Sequence, residues 1–233
     1  MTLAIMQPYL FPYIGYWQLI NAVDTFVIYD NIQFSKKHWF NRNNILLNNK
    51  KTLFSIPLKK DSDNLDVFQR YLSCNVEKDI NRIIRKIEHS YKKAPYFNSI
   101  YPIIRDILLN KEKNLFIYIF NSIKVICKYL DIEANIIVSS TIDINHTFKS
   151  ENKVITINKK LNTSRYINSI GGMKLYNREK FKKENIDLMF LETEHIVYKQ
   201  FNNEFIPNLS IIDVLMFNSK DEVKILLKRY KIV

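Results

Sequence analysis

A chain of 233 residues, 47% hydrophobic and 25% charged, is one domain or one domain with an appendage, and it can bury roughly 70% of the surface its unfolded form exposes. Disorder and collagen-like structure are excluded, and so is a glycine-rich phosphate loop, because there are 3 glycines. The net charge of +12 admits polyanionic partners, although Lys, Asn and Ile are overused together and AT-rich codon use competes as the cause.

The chain opens with an apolar run, Leu3 to Met6, that is too short for a signal peptide and has no basic leader. It reads as a strand. Gln7-Pro8-Tyr9-Leu10-Phe11-Pro12 follows as a stiff, proline-bounded loop, and then a helix from Tyr13 to Val23. Phe26 to Tyr29 is a second, doubly buried strand, so residues 3–30 form a β-loop-α-β crossover unit. The segment 35–44 is polar, basic and aromatic without periodicity. A third strand is expected over Thr52–Leu58, a polar loop over 61–66 and another strand over 71–76.

From 77 to 130 the pattern is helical, with Ile80, Ile83, Ile84 and Ile87 on one stripe. These three helices are expected as an insertion or lid on an α/β core formed by 1–76 and 131–233. A strand at 136–138, a helix capped by Ser150, a strand at 166–169 turned by Gly171-Gly172, and a helix at 177–184 come next. A strand at 188–191 and helices at 210–217 and 220–230 complete the chain. No stretch approaches the roughly 20 apolar residues of a membrane span. Two isolated cysteines, Cys74 and Cys127, are expected as core thiols in a reducing compartment. The expectation is a soluble, cytoplasmic protein.

Pro12-Tyr13-Ile14-Gly15-Tyr16 resembles the His-x-Gly-His signature of nucleotidylyltransferases and class I aminoacyl-tRNA synthetases, at the same place after strand one. The resemblance implies a parallel sheet with a HUP-type, nucleotide-accepting unit. Tyr13 and Tyr16 replace the histidines; they can donate hydrogen bonds to phosphate but carry no imidazolium charge. Gly15 either lets an anion approach the helix start or permits close packing. Lys36, Lys37, His38 and Arg42 follow the second strand, and ligands of parallel sheets bind beyond the carboxyl ends of strands. Arg42 suits a diphosphate in bidentate fashion, Lys36 adds a point charge, and Trp39 and Asn41 are interleaved with them.

None of the four histidines has metal-ligand spacing. His89 ends a helix. His146 and His195 follow strands and are candidate general bases, with Glu192 and Glu194 near His195; Asp30 is the carboxylate alternative. Ser210 suits an N-cap and Asp213 a first-turn carboxylate, which leaves Asp213 open to either a structural role or one orienting a substrate amine.

Several stretches together resemble the WbqC-like proteins. They are Met6 to Tyr16, Asp30-Asn31-Ile32-Gln33-Phe34, and Lys36 with Trp39-Phe40-Asn41-Arg42-Asn43. Tyr91 to Phe97, Gly171 to Tyr176, and Leu209-Ser210-Ile211-Ile212-Asp213 extend the likeness over nearly the whole chain. Asn31 stands where the resemblance implies an acidic residue. The resemblance implies work on bacterial surface polysaccharide, notably O-antigen: transfer of an acyl or aminoacyl group, glycyl in particular, to an amino sugar carried on dTDP or UDP. The donor would be an aminoacyl-tRNA, a carrier thioester, or a free amino acid with ATP. Substrate contacts would come from Gln7, Tyr9, Tyr13, Gly15, Tyr16, Lys36, Trp39, Asn41, Arg42, Asn43, Gly171, Gly172, Ser210 and Asp213. Two other classes compete: a ligase or nucleotidyltransferase using ATP with Mg²⁺, and a nucleic-acid-binding module.

Overall fold

The computed structural model describes residues 1–202 and 204–233. Strand β1 (Thr2–Met6), helix α1 (Ile14–Asn21) and strand β2 (Thr25–Ile28) form the expected crossover, with Leu3 opposite Thr25 and Met6 opposite Ile28. A hairpin of β3 (Arg42–Leu47) and β4 (Lys50–Ser55) follows, then α2 (Val76–Tyr91), α3 (Phe97–Leu108) and α4 (Leu115–Leu130). The chain returns to the sheet through β5 (Asn135–Val138), α5 (Ser150–Lys160), β6 (Arg165–Ser169), α6 (Arg178–Lys183) and β7 (Asp187–Thr193). Helices α7 (Ile211–Phe217) and α8 (Lys220–Leu226) and strand β8 (Tyr230–Ile232) complete it.

The main sheet runs β5-β2-β1-β6-β7-β8, parallel except for β8. Chain progress reverses between β1 and β6, the switch point beside which open α/β sheets hold ligands. Alternation along the strands sorts the core onto two faces. Ala4, Phe26, Ile28, Ile167 and Leu191 join α1, α2, α3, α4, α7 and α8 in one apolar cluster. Leu3, Ile5, Val27, Tyr166, Leu188 and Phe190 join α5 and α6 in the other. The helices expected as an insertion thus pack their apolar stripes into the same core as the sheet; in α2 that stripe runs from Val76 through the four expected isoleucines to Tyr91.

Several local expectations are corrected. The third strand is β4, ending at Ser55, and its partner β3 falls in the segment read as aperiodic. Asn48 and Asn49, at φ 50° and 57°, make the tight turn between them. Residues 71–76 form no strand: Leu72 bridges Leu58, Tyr71 bridges Asn114, and Cys74 is exposed beside the start of α2. Ser150 begins α5 rather than capping it. The last helix stops at Leu226, where the buried Gln18 amide donates to the carbonyls of Leu226 and Arg229, at 2.8 and 3.0 Å, and the chain turns back as β8. No glycine takes a positive φ. Among the described residues no helix is long and apolar enough to cross a membrane.

Candidate functional site

The loop leaving β1 is held in an unusual conformation. Phe11 is fully buried at φ 45°, a left-handed backbone that a bulky side chain rarely adopts. Its carbonyl accepts hydrogen bonds from the Asn43 amide (2.7 Å) and the Ser210 hydroxyl (2.9 Å). Asn43 also donates to the Leu10 carbonyl at 2.9 Å, and Pro12 accepts from Ile211 N–H and the Trp17 indole. Ser210 caps α7 through Ile212 N–H. Hairpin, β1 loop and α7 are thereby tied through buried polar groups.

Asp213, on α7, is fully buried. It accepts from the phenols of Tyr198 (2.7 Å) and Tyr91 (2.9 Å) and from Gln200 (2.7 Å). Burial pushes its carboxyl up to about 6, with the three donors opposing. Tyr91 in turn accepts from Leu46 N–H on β3. Asn43 and Ser210 thus brace the β1 loop, while Asp213 ties α7 to α2 and to the segment around Tyr198.

Beside that loop lies a pocket of about 360 Å³ lined by Tyr9, Pro12, Tyr13, Trp39, Asn43, Asn44, Lys51 and Asn208. Its lining combines the aromatic rings of Tyr9, Tyr13 and Trp39 with the amides of Asn43, Asn44 and Asn208. A second pocket of about 400 Å³ has a lining that includes Lys36, Asn41, Arg42, Lys59, Lys60 and Arg70 together with Asp61 and Asp63. The Arg42 guanidinium sits 5.3 Å from the Trp39 ring centroid, and its Nε donates to the His38 carbonyl. Asn41 is turned to backbone work, donating to Ile56 O at 2.7 Å.

Gly15 faces protein rather than open space: a Cβ there would lie 2.5 Å from the Tyr13 ring and 2.8 Å from Thr193 Oγ1. Close packing of α1 accounts for it. Tyr16 is buried and donates to the Gln7 carbonyl at 3.0 Å, whereas Tyr13 is partly exposed at the pocket wall.

Gln7 Oε1 accepts from the Tyr9 hydroxyl at 2.8 Å and faces His38 Nδ1 at 2.7 Å. With Gln7 Oε1 as the acceptor, the contact selects the His38 tautomer that has N–H at Nδ1 and leaves Nε2 to accept. The ring stacks on Phe40, centroids 5.6 Å apart. This is the geometry of an oriented base, and no sequence pattern singled out His38 from its basic neighbours, because Gln7 lies 31 residues upstream.

The other candidates lie elsewhere on the strand ends. Asp30, at the end of β2, accepts from Ser140 N–H and Oγ at 2.9 and 2.6 Å, so both oxygens are engaged. Asn31 accepts from Ser139 and donates to His146 Nδ1 at 2.8 Å, while His146 Nε2 reaches Ile142 O at 2.9 Å; both nitrogens of His146 are occupied. Lys153, 3% exposed, holds its amine 4.7 Å from the Tyr29 ring centroid, and burial lowers its pKa against the pull of Asp66 and Asp30. His195 is exposed beyond β7, and no hydrogen bond reaches its ring among the described residues. Glu194 pairs with Arg229 at 3.4 Å rather than orienting it. Gly171 faces open space, and Gly172 lies under the Asn168 side chain. Among the described residues no three His, Cys, Asp or Glu side chains converge as a metal site.

Fold and site define an α/β protein with a mostly parallel sheet, an aromatic pocket beside the loop that leaves β1, and a cationic pocket against the hairpin and the loop after it. The model of the WbqC-like protein family matches residues 7–225, and the chain belongs to that family. It is similar to the uncharacterized protein Rv1507c of Mycobacterium tuberculosis (strain ATCC 25618 / H37Rv), with 24% identity over 217 residues covering 92% of each chain. No solved structure matches.

Proposed function

We propose that this protein transfers an acyl or aminoacyl group, glycyl in particular, to the amine of a sugar carried on a nucleoside diphosphate, in bacterial surface-polysaccharide or O-antigen assembly. One observation carries the reading. Trp39 lines an aromatic pocket, Arg42 lines a cationic one, and the Arg42 guanidinium lies over the Trp39 ring at 5.3 Å. A planar base fits Tyr13 and Trp39 by stacking, and a diphosphate suits Arg42 and Lys36.

In the proposed step the sugar amine attacks the carbonyl carbon of an activated ester or thioester, from an aminoacyl-tRNA or a carrier thioester. A C–N bond forms as the carbon–oxygen or carbon–sulfur bond to the carrier breaks. The base takes the amine proton and returns it to the leaving oxygen or sulfur. His38 lines a recess that shares Phe34, Lys36 and Asp63 with the cationic pocket, and with Gln7 against Nδ1 it is the acceptor of choice; His195, His146 and Asp30 are the alternatives. The tetrahedral intermediate's oxyanion needs donors, for which Lys51 and the Asn44 and Asn208 amides of the aromatic pocket are the candidates, Asn43 being committed to the Leu10 and Phe11 carbonyls.

A second reading, a ligase or nucleotidyltransferase using ATP with Mg²⁺, is favoured by the order of the five parallel strands, third-second-first-fourth-fifth, and by the Tyr13-Ile14-Gly15-Tyr16 turn entering α1 in HUP-type fashion. Thermal-shift screening separates the two. Stabilisation by dTDP- or UDP-amino sugars, followed by a mass gain of one acyl unit on the sugar with a suitable donor, supports transfer. Stabilisation by ATP with Mg²⁺ alone supports the second reading, and stabilisation by RNA alone would defeat both.

A further inference from the structure

Arg70 is 4% exposed, and a buried cation is costly without a matching anion. Its guanidinium lies 4.7 Å from the Phe34 ring centroid and donates Nη1 to the Ser62 carbonyl at 2.7 Å and Nη2 to the Lys59 carbonyl at 3.4 Å. Nε is buried with no partner, and no carboxylate lies within ion-pairing distance among the described residues. The side chain nevertheless lines the cationic pocket, with Lys36, Arg42, Lys59 and Lys60 around it. The two carboxylates there, Asp61 and Asp63, leave five cations against two, and the pairing of Asp63 with Lys36 is long, 3.9 Å between exposed groups. The backbone holding Arg70 is fixed: its carbonyl accepts from Leu115 N–H, and Asn114 donates to the neighbouring Phe68 carbonyl.

We infer that Arg70 is the buried anchor of a diphosphate site, with Lys59 and Lys60 closing over the anion from the loop after β4. The inference rests on the nucleotide-sugar reading for the source of the diphosphate, but the site itself is defined by the charge chemistry. Arg70 supplies the fixed planar donor; the two lysines supply mobile charge at the rim. The sequence gives no hint of it, because Arg70 lies 28 positions beyond Arg42 and is flanked by the ordinary polar residues Gln69 and Tyr71.

Calorimetry at fixed ionic strength with inorganic pyrophosphate, UDP, dTDP and ATP tests the assignment. The wild-type protein is expected to bind pyrophosphate, and Arg70→Gln to weaken that binding roughly tenfold to 100-fold, as loss of a charge-assisted contact does. Lys59→Gln with Lys60→Gln, both exposed, should weaken it at least several-fold, which keeps the test valid should Arg70→Gln fail to fold. Lys182→Gln with Lys183→Gln on α6 removes the same charge from the other face and should change nothing. Absence of pyrophosphate binding to the wild type, or equal binding by all variants, overturns the site. Pyrophosphate binding lost in Arg70→Gln without any affinity for UDP or dTDP leaves the site standing and sinks the nucleotide-sugar reading. Affinity for UDP or dTDP undiminished in Arg70→Gln does the reverse, and preference for ATP assigns the site to the second reading.

Discussion

Asn43 holds Phe11: one side-chain amide on the hairpin donates to two successive carbonyls of the β1 loop, at 2.9 and 2.7 Å, and Phe11 keeps its left-handed backbone beneath the aromatic pocket. Strain of this kind persists only where surrounding bonds over-determine it. Asn43→Ala removes both donors and leaves buried carbonyls short of partners, a cost of about 3 kcal/mol. For a chain of this length the melting temperature should fall by roughly 6–12 °C. Ser210→Ala, with Asn43 still on the Phe11 carbonyl, should cost about 1 kcal/mol. Equal melting temperatures for wild type and Asn43→Ala would show that the loop holds itself.

Asp213 makes stability depend on pH in an identifiable direction. Its folded carboxyl is pushed up to about 6, against about 4 in an unfolded chain. Between those values the folded state binds the extra proton. The stabilisation is therefore complete below about pH 4 and lost as pH rises through about 6; two units correspond to about 3 kcal/mol. Asp213→Asn removes that titration while keeping shape. In urea unfolding, the stability of wild type minus that of the variant should rise as pH falls from 7.5 to 5. A signed difference that stays constant or falls over that range means the buried carboxyl is not raised.

Much of the sheet was legible in the sequence because its strands are buried on both faces and read as apolar runs: Leu3 to Met6, Phe26 to Ile28, Leu188 to Leu191. The stripe of α2 was legible for the same reason. β3 was not, since Arg42-Asn43-Asn44 put polar side chains at its start, and the Asn43 amide serves a neighbouring loop rather than the strand. β8 was masked by helix-compatible residues, and Gln18, more than 200 positions away, bonds the turn that leads into it. In the candidate site the basic segment was legible as charge, but the Gln7–His38 bond, the tying role of Asp213 and the burial of Arg70 are products of long-range contact. Single-sequence patterns carry no such distances.

Trp39 and Arg42 should divide the work of nucleotide binding. Arg42→Ala removes a charge-assisted contact and is expected to weaken affinity for a dTDP- or UDP-sugar by roughly tenfold or more. Trp39→Ala removes a stacking surface worth about 1 kcal/mol, so the loss should be smaller. It should appear with nucleoside diphosphates and not with pyrophosphate. Calorimetry of both variants against both ligands checks the division; a Trp39 variant that loses pyrophosphate equally would place the ring at the anion instead.

The base is the sharpest test of the proposed transfer. Gln7 Oε1 accepts a hydrogen bond from His38 Nδ1–H, Phe40 braces the ring, and that tautomer leaves Nε2 as the acceptor. His146 spends both nitrogens on Asn31 and Ile142, and Asp30 spends both oxygens on Ser140. His195 is exposed, with Glu194 drawn to Arg229. His38→Gln should therefore lower kcat by about 100-fold or more, the usual range for loss of a general base, while nucleotide-sugar affinity stays within about twofold of wild type. Gln7→Leu should reproduce part of that loss, because the ring would keep its stacking but lose the acceptor that selects its tautomer. His195→Gln should leave kcat near the wild-type value. An unchanged kcat in His38→Gln together with a 100-fold fall in His195→Gln would move the chemistry to the end of β7 and leave the Gln7–His38 pair a structural brace.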